Sequence, residues 1–363
     1  MCFSHPGLPP TPGGTAPQPR SARRYPAQPR ASPGGQAVGW LRPPYRPTAL
    51  PPILLAMLTL TFLGTSAARP TVERGLTSLA VKREGETLMF DCGEGTQRQM
   101  MRFGVSFALS EIFFTHFHAD HYLGIIGLLR TLSLQDRTEP MYLYGPPGAE
   151  QLLTDAINLR VERTPFDVEI REIRSGDRLA RDEYDIEVFD VEHGRGAVGF
   201  ALREHERLGR FDPDKARELG IPEGPLWGRI HAGEAVELPN GMQVNPGELV
   251  GPSRPGRLVV FSGDTSGCEN VVNAAEGADL LVHEATFGEE EKDRAKDTSH
   301  STAVEAAQVA LAARAKRLVL THVSARYSAN SKALLEEARS VFANTIVAKD
   351  GMEIEVPFPD EAG

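Results

Sequence analysis

Cysteine is scarce in this chain: among its 363 residues there are three, Cys2, Cys92 and Cys268. An odd number without paired spacing argues against a disulfide framework or a disulfide-linked partner, and fits a cytoplasmic protein in which Cys92 and Cys268 are small buried thiols. Long apolar runs are missing too. The stretch from Ile53 to Leu63 falls well short of the roughly twenty residues that cross a bilayer, so no membrane is expected. Nor is there a basic excess. The formal net charge is −10 at pH 7, and the first 55 residues hold six arginines and no acidic residue, which leaves the remainder near −16. Nucleic-acid binders usually carry a basic patch, so any such contact here must come from a local patch and not from the field of the whole chain.

Residues 1 to 55 contain fourteen of the twenty-eight prolines, in clusters such as Pro9-Pro10, Pro43-Pro44 and Pro51-Pro52. With few periodic apolar residues, they cannot bury a core and are expected to form a disordered Pro/Arg-rich extension. Ile53 to Ala68 superficially has the apolar region and small-residue cleavage site of a secretory signal. Leu58 to Gly64, however, alternates as a first β-strand, and cleavage after Ala68 would delete it. Met57 is the expected start, with the preceding residues dispensable. From residue 57 to about 357 strands alternate with helices without a low-complexity break, and 40% hydrophobic content over some three hundred residues can bury one large core.

The densest chemistry lies at Thr115-His116-Phe117-His118-Ala119-Asp120-His121, three imidazoles and a carboxylate in six positions. Glu111 to Phe114 before it is of strand type, and Tyr122 to Leu129 after it has helical apolar spacing. On extended backbone His116 and His118 point the same way, while Asp120 and His121 open the helix and face a neighbouring point. That arrangement suits two adjacent cations. Three further runs each put a polar residue at a strand end: Asp190 to Gly194 with His193, Leu258 to Thr265 with Asp264, and Arg317 to His322. Leu88 to Gln97 ends a strand at Asp91.

The His-x-His-x-Asp-His pattern is that of the metallo-β-lactamase superfamily, and the chain resembles its ribonuclease Z family in particular. The resemblance covers residues 57 to 357. It rests on Phe62-Leu63-Gly64-Thr65-Ser66 with Pro70 and Arg74, on Asp91 to Gln97, on Gly263-Asp264-Thr265, on His283-Glu284-Ala285-Thr286, on Ser299-His300-Ser301-Thr302 and on Thr321 to Tyr327. It implies an αββα sandwich, an α/β fold of two mixed sheets face to face with helices outside, and an inserted flexible arm. His116, His118 and His193 would hold one zinc, Asp120, His121 and His322 a second, with Asp264 bridging; ligand type admits manganese or iron as well. Asp91 would orient a ligating histidine through its other N–H.

The implied activity is endonucleolytic removal of the 3′ trailer from precursor tRNA by a homodimer. Two metals activate water and neutralise phosphoryl oxygens in such reactions. The resemblance assigns Asp120 to orient the attacking water and accept its proton, His300 to protonate the departing 3′-oxygen, and Glu284 to keep His300 charged. Thr302, three residues before Glu305, reads as a helix cap. In the loop Pro70 to Gly75, Glu73 and Gly75 depart from the family's basic pattern.

Residues 203 to 245 form a long polar excursion containing Gly220-Ile221-Pro222-Glu223-Gly224-Pro225-Leu226-Trp227, where the family places an arm that grips the tRNA elbow. Arg203, Arg207, Arg210, Lys215, Arg217 and Arg229 are the candidate phosphate contacts. Glu204, Glu206, Asp212, Asp214, Glu218 and Glu223 balance them one for one, as in a solvated charged loop. A dinuclear hydrolase of small phosphodiesters or sulfate esters on the same fold is the alternative, and it has no use for an arm.

Overall fold

The computed structural model describes residues 57–159, 164–238 and 241–359. The proline-rich extension expected over residues 1 to 55, and with it Cys2, lies outside them.

Two seven-stranded sheets carry the fold. The first runs in the order Glu353–Glu355, Leu58–Gly64, Ser78–Arg83, Glu86–Phe90, Glu111–Phe113, Met141–Gly145, Val168–Glu172. The second runs Thr345–Val347, Leu318–Thr321, Leu280–Glu284, Leu258–Phe261, Val198–Glu204, Tyr184–Asp190, Arg178–Ala180. Each sheet is antiparallel in one half and parallel in the other. The first strand begins at Leu58 and pairs in register with both its neighbours, Leu60 opposite Val81 and Ile354. Leu58–Gly64 is thus a strand of this sheet, as its sequence suggested, and it is buried on both faces with no alternation.

The central strands of the second sheet are buried on both faces and read as unbroken apolar runs, Leu258–Phe261 and Leu280–Val282. One core fills the space between the sheets, where Phe90 stacks on Phe261 at 4.2 Å between ring centroids and Phe113 on Tyr144 at 4.8 Å. A second core packs the alanine-rich helix Ala303–Ala312 and the helix Lys332–Val341 on the outside of the second sheet. A third packs the helices Thr96–Phe103, Gly124–Leu134 and Ala149–Ile157 on the outside of the first. The result is the αββα order that the resemblance implied.

Between Glu204 and Arg257 the chain leaves the second sheet and returns. Its outgoing and returning legs pair backbone to backbone, Arg207 with Arg254 and Phe211 with Val250. They cross where a Cβ on Gly209 would lie 1.8 Å from the Gly251 carbonyl oxygen, so Gly209 does not accommodate a side chain without parting the legs. Beyond the crossing, the helices Pro213–Glu218 and Pro225–His231 and the hairpin Val236–Glu237, Gln243–Val244 close over a small core of Ala216, Ile221, Ile230, Val236, Leu238, Val244 and Leu249. The excursion that reads as polar in sequence thus has an interior of its own. Arg203 and Glu204 still belong to the sheet strand, so the excursion begins after them.

Candidate metal centre and active site

The loop between Glu111–Phe113 and the helix Gly124–Leu134 carries four of the expected ligands. His118 caps a four-residue helix, Ala119–Tyr122, that contains Asp120 and His121. The expected single helix from Tyr122 is interrupted at Leu123. Gly124 is pressed onto the Asp91 loop, its N–H donating to the Cys92 carbonyl at 2.8 Å, and a Cβ there would sit 2.0 Å from the Gly93 oxygen. This contact joins the loop that holds Asp91 to the loop that holds the histidines.

Strand ends deliver the rest. Asp264 follows Leu258–Phe261, His322 follows Leu318–Thr321, and His193 follows Tyr184–Asp190. Asp91 and His322 both turn out of their strands at positive φ, 56° and 53°, in a region that Asp and His enter more readily than most residues. All seven side chains meet at one edge. His116, His118, His193 and Asp264 place one ligand atom each within 4.8 Å of one another, and so do Asp120, His121 and His322. Asp264 Oδ2 stands between the sets, 3.6 Å from His116 Nε2, 3.2 Å from His121 Nε2, 3.8 Å from His193 Nε2 and 3.3 Å from His322 Nε2.

The surroundings fix which nitrogen each imidazole offers. His121 Nδ1 donates to Asp91 Oδ2 at 2.8 Å, and His193 Nδ1 donates to the Ser299 carbonyl at 2.7 Å. Thr286 Oγ1 gives its own hydrogen to Glu284 Oε2 at 2.6 Å, so it accepts from His322 Nδ1 at 2.9 Å. By the same reasoning Thr115 Oγ1, donating to Asp91, accepts from His116 Nδ1 at 3.0 Å. Four Nε2 lone pairs are therefore left facing the carboxylates. His118 turns the other nitrogen, Nδ1, toward His193 Nε2 at 3.1 Å. Asp91 was expected from sequence as an orienting group. Ser299, Thr286 and Thr115 were not, although all three stand inside runs quoted above, Ser299 to Thr302, His283 to Thr286 and Thr115 to His121.

Imidazole lone pairs and carboxylates crowded together in this way call for positive charge. His116 Nε2 is buried without a hydrogen-bond partner, and His121 Nε2 faces His322 Nε2 at 3.3 Å. Burial and the neighbouring imidazoles push His116 well below the usual histidine range. Burial also disfavours charge on His121, yet the Asp264 and Asp91 carboxylates override it and lift His121 well above that range. Burial works against ionised Asp120 and Asp264 as well, and the adjacent histidines nevertheless hold both carboxyls far down. The donor set, imidazole nitrogen with two carboxylates, fits divalent metal ions.

His300 stands beside this cluster, its ring 4.6 Å from that of His193 and 5.3 Å from that of His322. Its Nδ1 is 2.6 Å from Glu284 Oε1. Burial lowers the basicity of His300, and the Glu284 carboxylate more than reverses this, raising it to about 9. His300 is held by Glu284 and is not among the seven, although it lies close enough to Asp264 and His322 to form a triad with them. Thr302 caps the next helix in a full capping box with Glu305.

The candidate phosphate contacts do not converge on this edge. Arg203 pairs with Glu187, Arg217 with Asp214 and Glu223, and Arg229 with Glu234. Arg210 and Lys215 are exposed, and Arg207 lies over the Phe358 ring. Cys92 and Cys268 are free and buried. Among the described residues no helix is long and apolar enough to cross a membrane.

Comparison with known proteins decides the family. The chain is 57% identical over 306 residues to ribonuclease Z of Gemmatimonas aurantiaca, covering 84% of this chain and 98% of that one. The chain belongs to the ribonuclease Z family. It is 52% identical to ribonuclease Z of Myxococcus xanthus, over 84% of this chain and the whole of the other. The solved structure of human tRNase Z, short form, superposes with a TM-score of 0.60 at 29% identity, covering 83% of this chain and 100% of that chain. A beta-lactamase superfamily domain model matches residues 232–323, and a model of the anti-Pycsar protein Apyc1 matches residues 58–202. The two sheets with helices outside are thus a metallo-β-lactamase fold of the ribonuclease Z family.

Proposed function

We propose that this chain is a zinc phosphodiesterase that cuts the 3′ trailer from precursor tRNA, leaving a 3′-hydroxyl on the tRNA and a 5′-phosphate on the trailer. The observation that carries the reading is seven converging ligand atoms beside a charged His300–Glu284 pair, in a chain of the ribonuclease Z family. His116, His118 and His193 would hold one ion, Asp120, His121 and His322 another, with Asp264 shared. When bound, the two ions supply an activated water and neutralise the phosphate oxygens.

The protein's own groups manage orientation and protons. Asp120 Oδ2 accepts from the Ala68 N–H at 2.7 Å and lies 3.3 Å from His322 Nε2. Fixed in this way, the ionised carboxylate orients the attacking water and takes its proton. His300 gives a proton to the departing 3′-oxygen. Its charge at neutral pH rests on Glu284, which Thr265 N–H, Thr286 N–H and the Thr286 hydroxyl hold in place at 2.9, 3.1 and 2.6 Å.

The arm is read as the tRNA grip. Its exposed ion pairs are individually weak and can exchange a carboxylate for a phosphate. A homodimer in the cytoplasm is part of this reading, on the ground of the family resemblance alone. Purified protein incubated with an unprocessed tRNA transcript should release the trailer at the discriminator side, and a chelator should stop it. Excising the arm should abolish this cleavage and spare a small chromogenic phosphodiester. Unimpaired transcript cleavage by the armless protein would favour the small-substrate reading instead.

A further inference from the structure

The arm is rooted at the edge of the sheet opposite the ligands. Val198 opens the strand Val198–Glu204 and donates to the Thr115 carbonyl in the ligand loop at 2.9 Å. Glu204 closes that strand six residues later, about 20 Å away at the rise of a β-strand. The returning leg mirrors this, since Arg257 precedes Leu258–Phe261 and Asp264 follows it. The root therefore lies too far from the ligands to touch a group reacting there.

The two feet are locked by one buried ion cluster. Arg257 donates from Nε to Glu204 Oε2 and from Nη2 to Oε1, both at 2.7 Å, and Arg83 Nε donates to the same Oε1 at 2.8 Å. Across this cluster runs the C-terminal stretch of the described chain. Val356 donates its N–H to the Leu58 carbonyl at 2.9 Å and accepts from Arg257 Nη1 at 3.0 Å. Two residues on, the buried Phe358 ring receives two guanidiniums, Arg257 with its carbon 3.9 Å from the centroid and Arg207 with its carbon 3.4 Å away. Arg257 belongs to the returning foot. Arg207 belongs to the outgoing leg, where its backbone pairs with Arg254 at 2.7 and 2.9 Å. One aromatic ring thus touches both feet, through a cation–π contact to each.

We propose that Phe358 is a positioning residue for substrate binding: the C-terminal tail latches both feet of the arm and so sets where the arm meets the tRNA. The latch rests on the reading of the arm as the tRNA grip. It predicts an effect confined to substrates long enough to reach the arm. A ring that only filled space would instead affect stability, with no preference between substrates.

The test uses the full-length, metal-loaded protein with two substrates, an unprocessed tRNA transcript and bis(p-nitrophenyl) phosphate. Phe358→Leu keeps an apolar side chain and removes the ring face, whereas Phe358→Tyr keeps the face. The leucine variant should raise KM for the transcript about threefold to tenfold, the scale of one or two cation–π contacts. Its kcat and its constants for the small diester should stay at wild-type values, and the tyrosine variant should restore KM. An unchanged transcript KM in the leucine variant, an equal loss on the small diester, or failure of tyrosine to restore KM would overturn the latch. A third variant replaces residues 211 to 250 with a short Gly-Ser turn, which the Gly251 N–H to Arg210 carbonyl contact of 2.9 Å allows. If that variant loses transcript affinity and Phe358→Leu does not, the arm reading stands and the latch falls. If it binds the transcript as tightly as wild type, the arm reading fails and takes the latch with it.

Discussion

His300 Nδ1 lies 2.6 Å from a Glu284 oxygen that also accepts the Thr265 N–H, and the second Glu284 oxygen takes both the N–H and the hydroxyl of Thr286. The carboxylate is thereby fixed against the imidazole, and the same Thr286 hydroxyl sets the tautomer of His322. One hydroxyl links the group read as the acid to a group read as a ligand.

Replacing His300 by Ala should lower turnover on a tRNA transcript by more than tenfold, a lost general acid typically costing about 10²- to 10⁴-fold, with both metals retained. Glu284→Gln should fall in the same direction, and the double variant should be little worse than either single one, because the two act as a unit. Turnover with metal content by elemental analysis checks this. Loss of metal from His300→Ala would show it to be a ligand.

Asp91 tests the orienting shell. It accepts from His121 Nδ1 and from both the N–H and the hydroxyl of Thr115, so Asp91→Asn removes the charge behind His121 and disturbs His116 through Thr115. Metal affinity should fall roughly 10- to 100-fold, the usual cost of losing an outer partner. Competition with a chromogenic chelator measures it, and unaltered affinity would mean that Thr115 alone orients the site.

The ligand edge was largely legible in the sequence because its signals are side chains. His116, His118, Asp120 and His121 are crowded into one loop, and Asp264 and His322 each end an apolar run of strand type. What fixes His193 was not legible, since its partner is the backbone carbonyl of Ser299, held at a φ of 54°, and a carbonyl has no sequence signature. The break at Leu123 was missed for a related reason: helical apolar spacing continues through it, and the cause is the approach of the Cys92–Gly93 backbone. The interior of the arm was hidden by its surface. Ile221, Ile230, Leu238 and Leu249 come from different short elements and follow no common period, while the charges between them dominate the stretch.

Gly124→Ala should disable the centre from outside it. The added methyl would meet the Gly93 carbonyl, and the two ligand-bearing loops would have to separate. A stability loss of about 1–3 kcal/mol is expected from such overpacking, together with weaker metal binding. Urea denaturation of the metal-free and metal-loaded forms should show a larger deficit in the loaded form, whereas equal deficits would confine the effect to packing.

Glu204 should govern acid stability. It is the carboxylate between two buried guanidiniums, Arg83 and Arg257. Burial raises its pKa, and the arginines outweigh burial and bring it below the ordinary value. A depressed folded value means that the stabilisation is complete above the unfolded pKa of about 4.3 and disappears as pH falls through the lower folded value. Glu204→Gln leaves the two charges without their partner and should cost about 3–5 kcal/mol at pH 7. In urea titrations at descending pH the gap between wild type and variant should stay constant down to about pH 5 and narrow below pH 4 as the wild-type carboxyl protonates. A gap that persisted unchanged at the lowest pH would assign the loss to packing and not to the charge of Glu204.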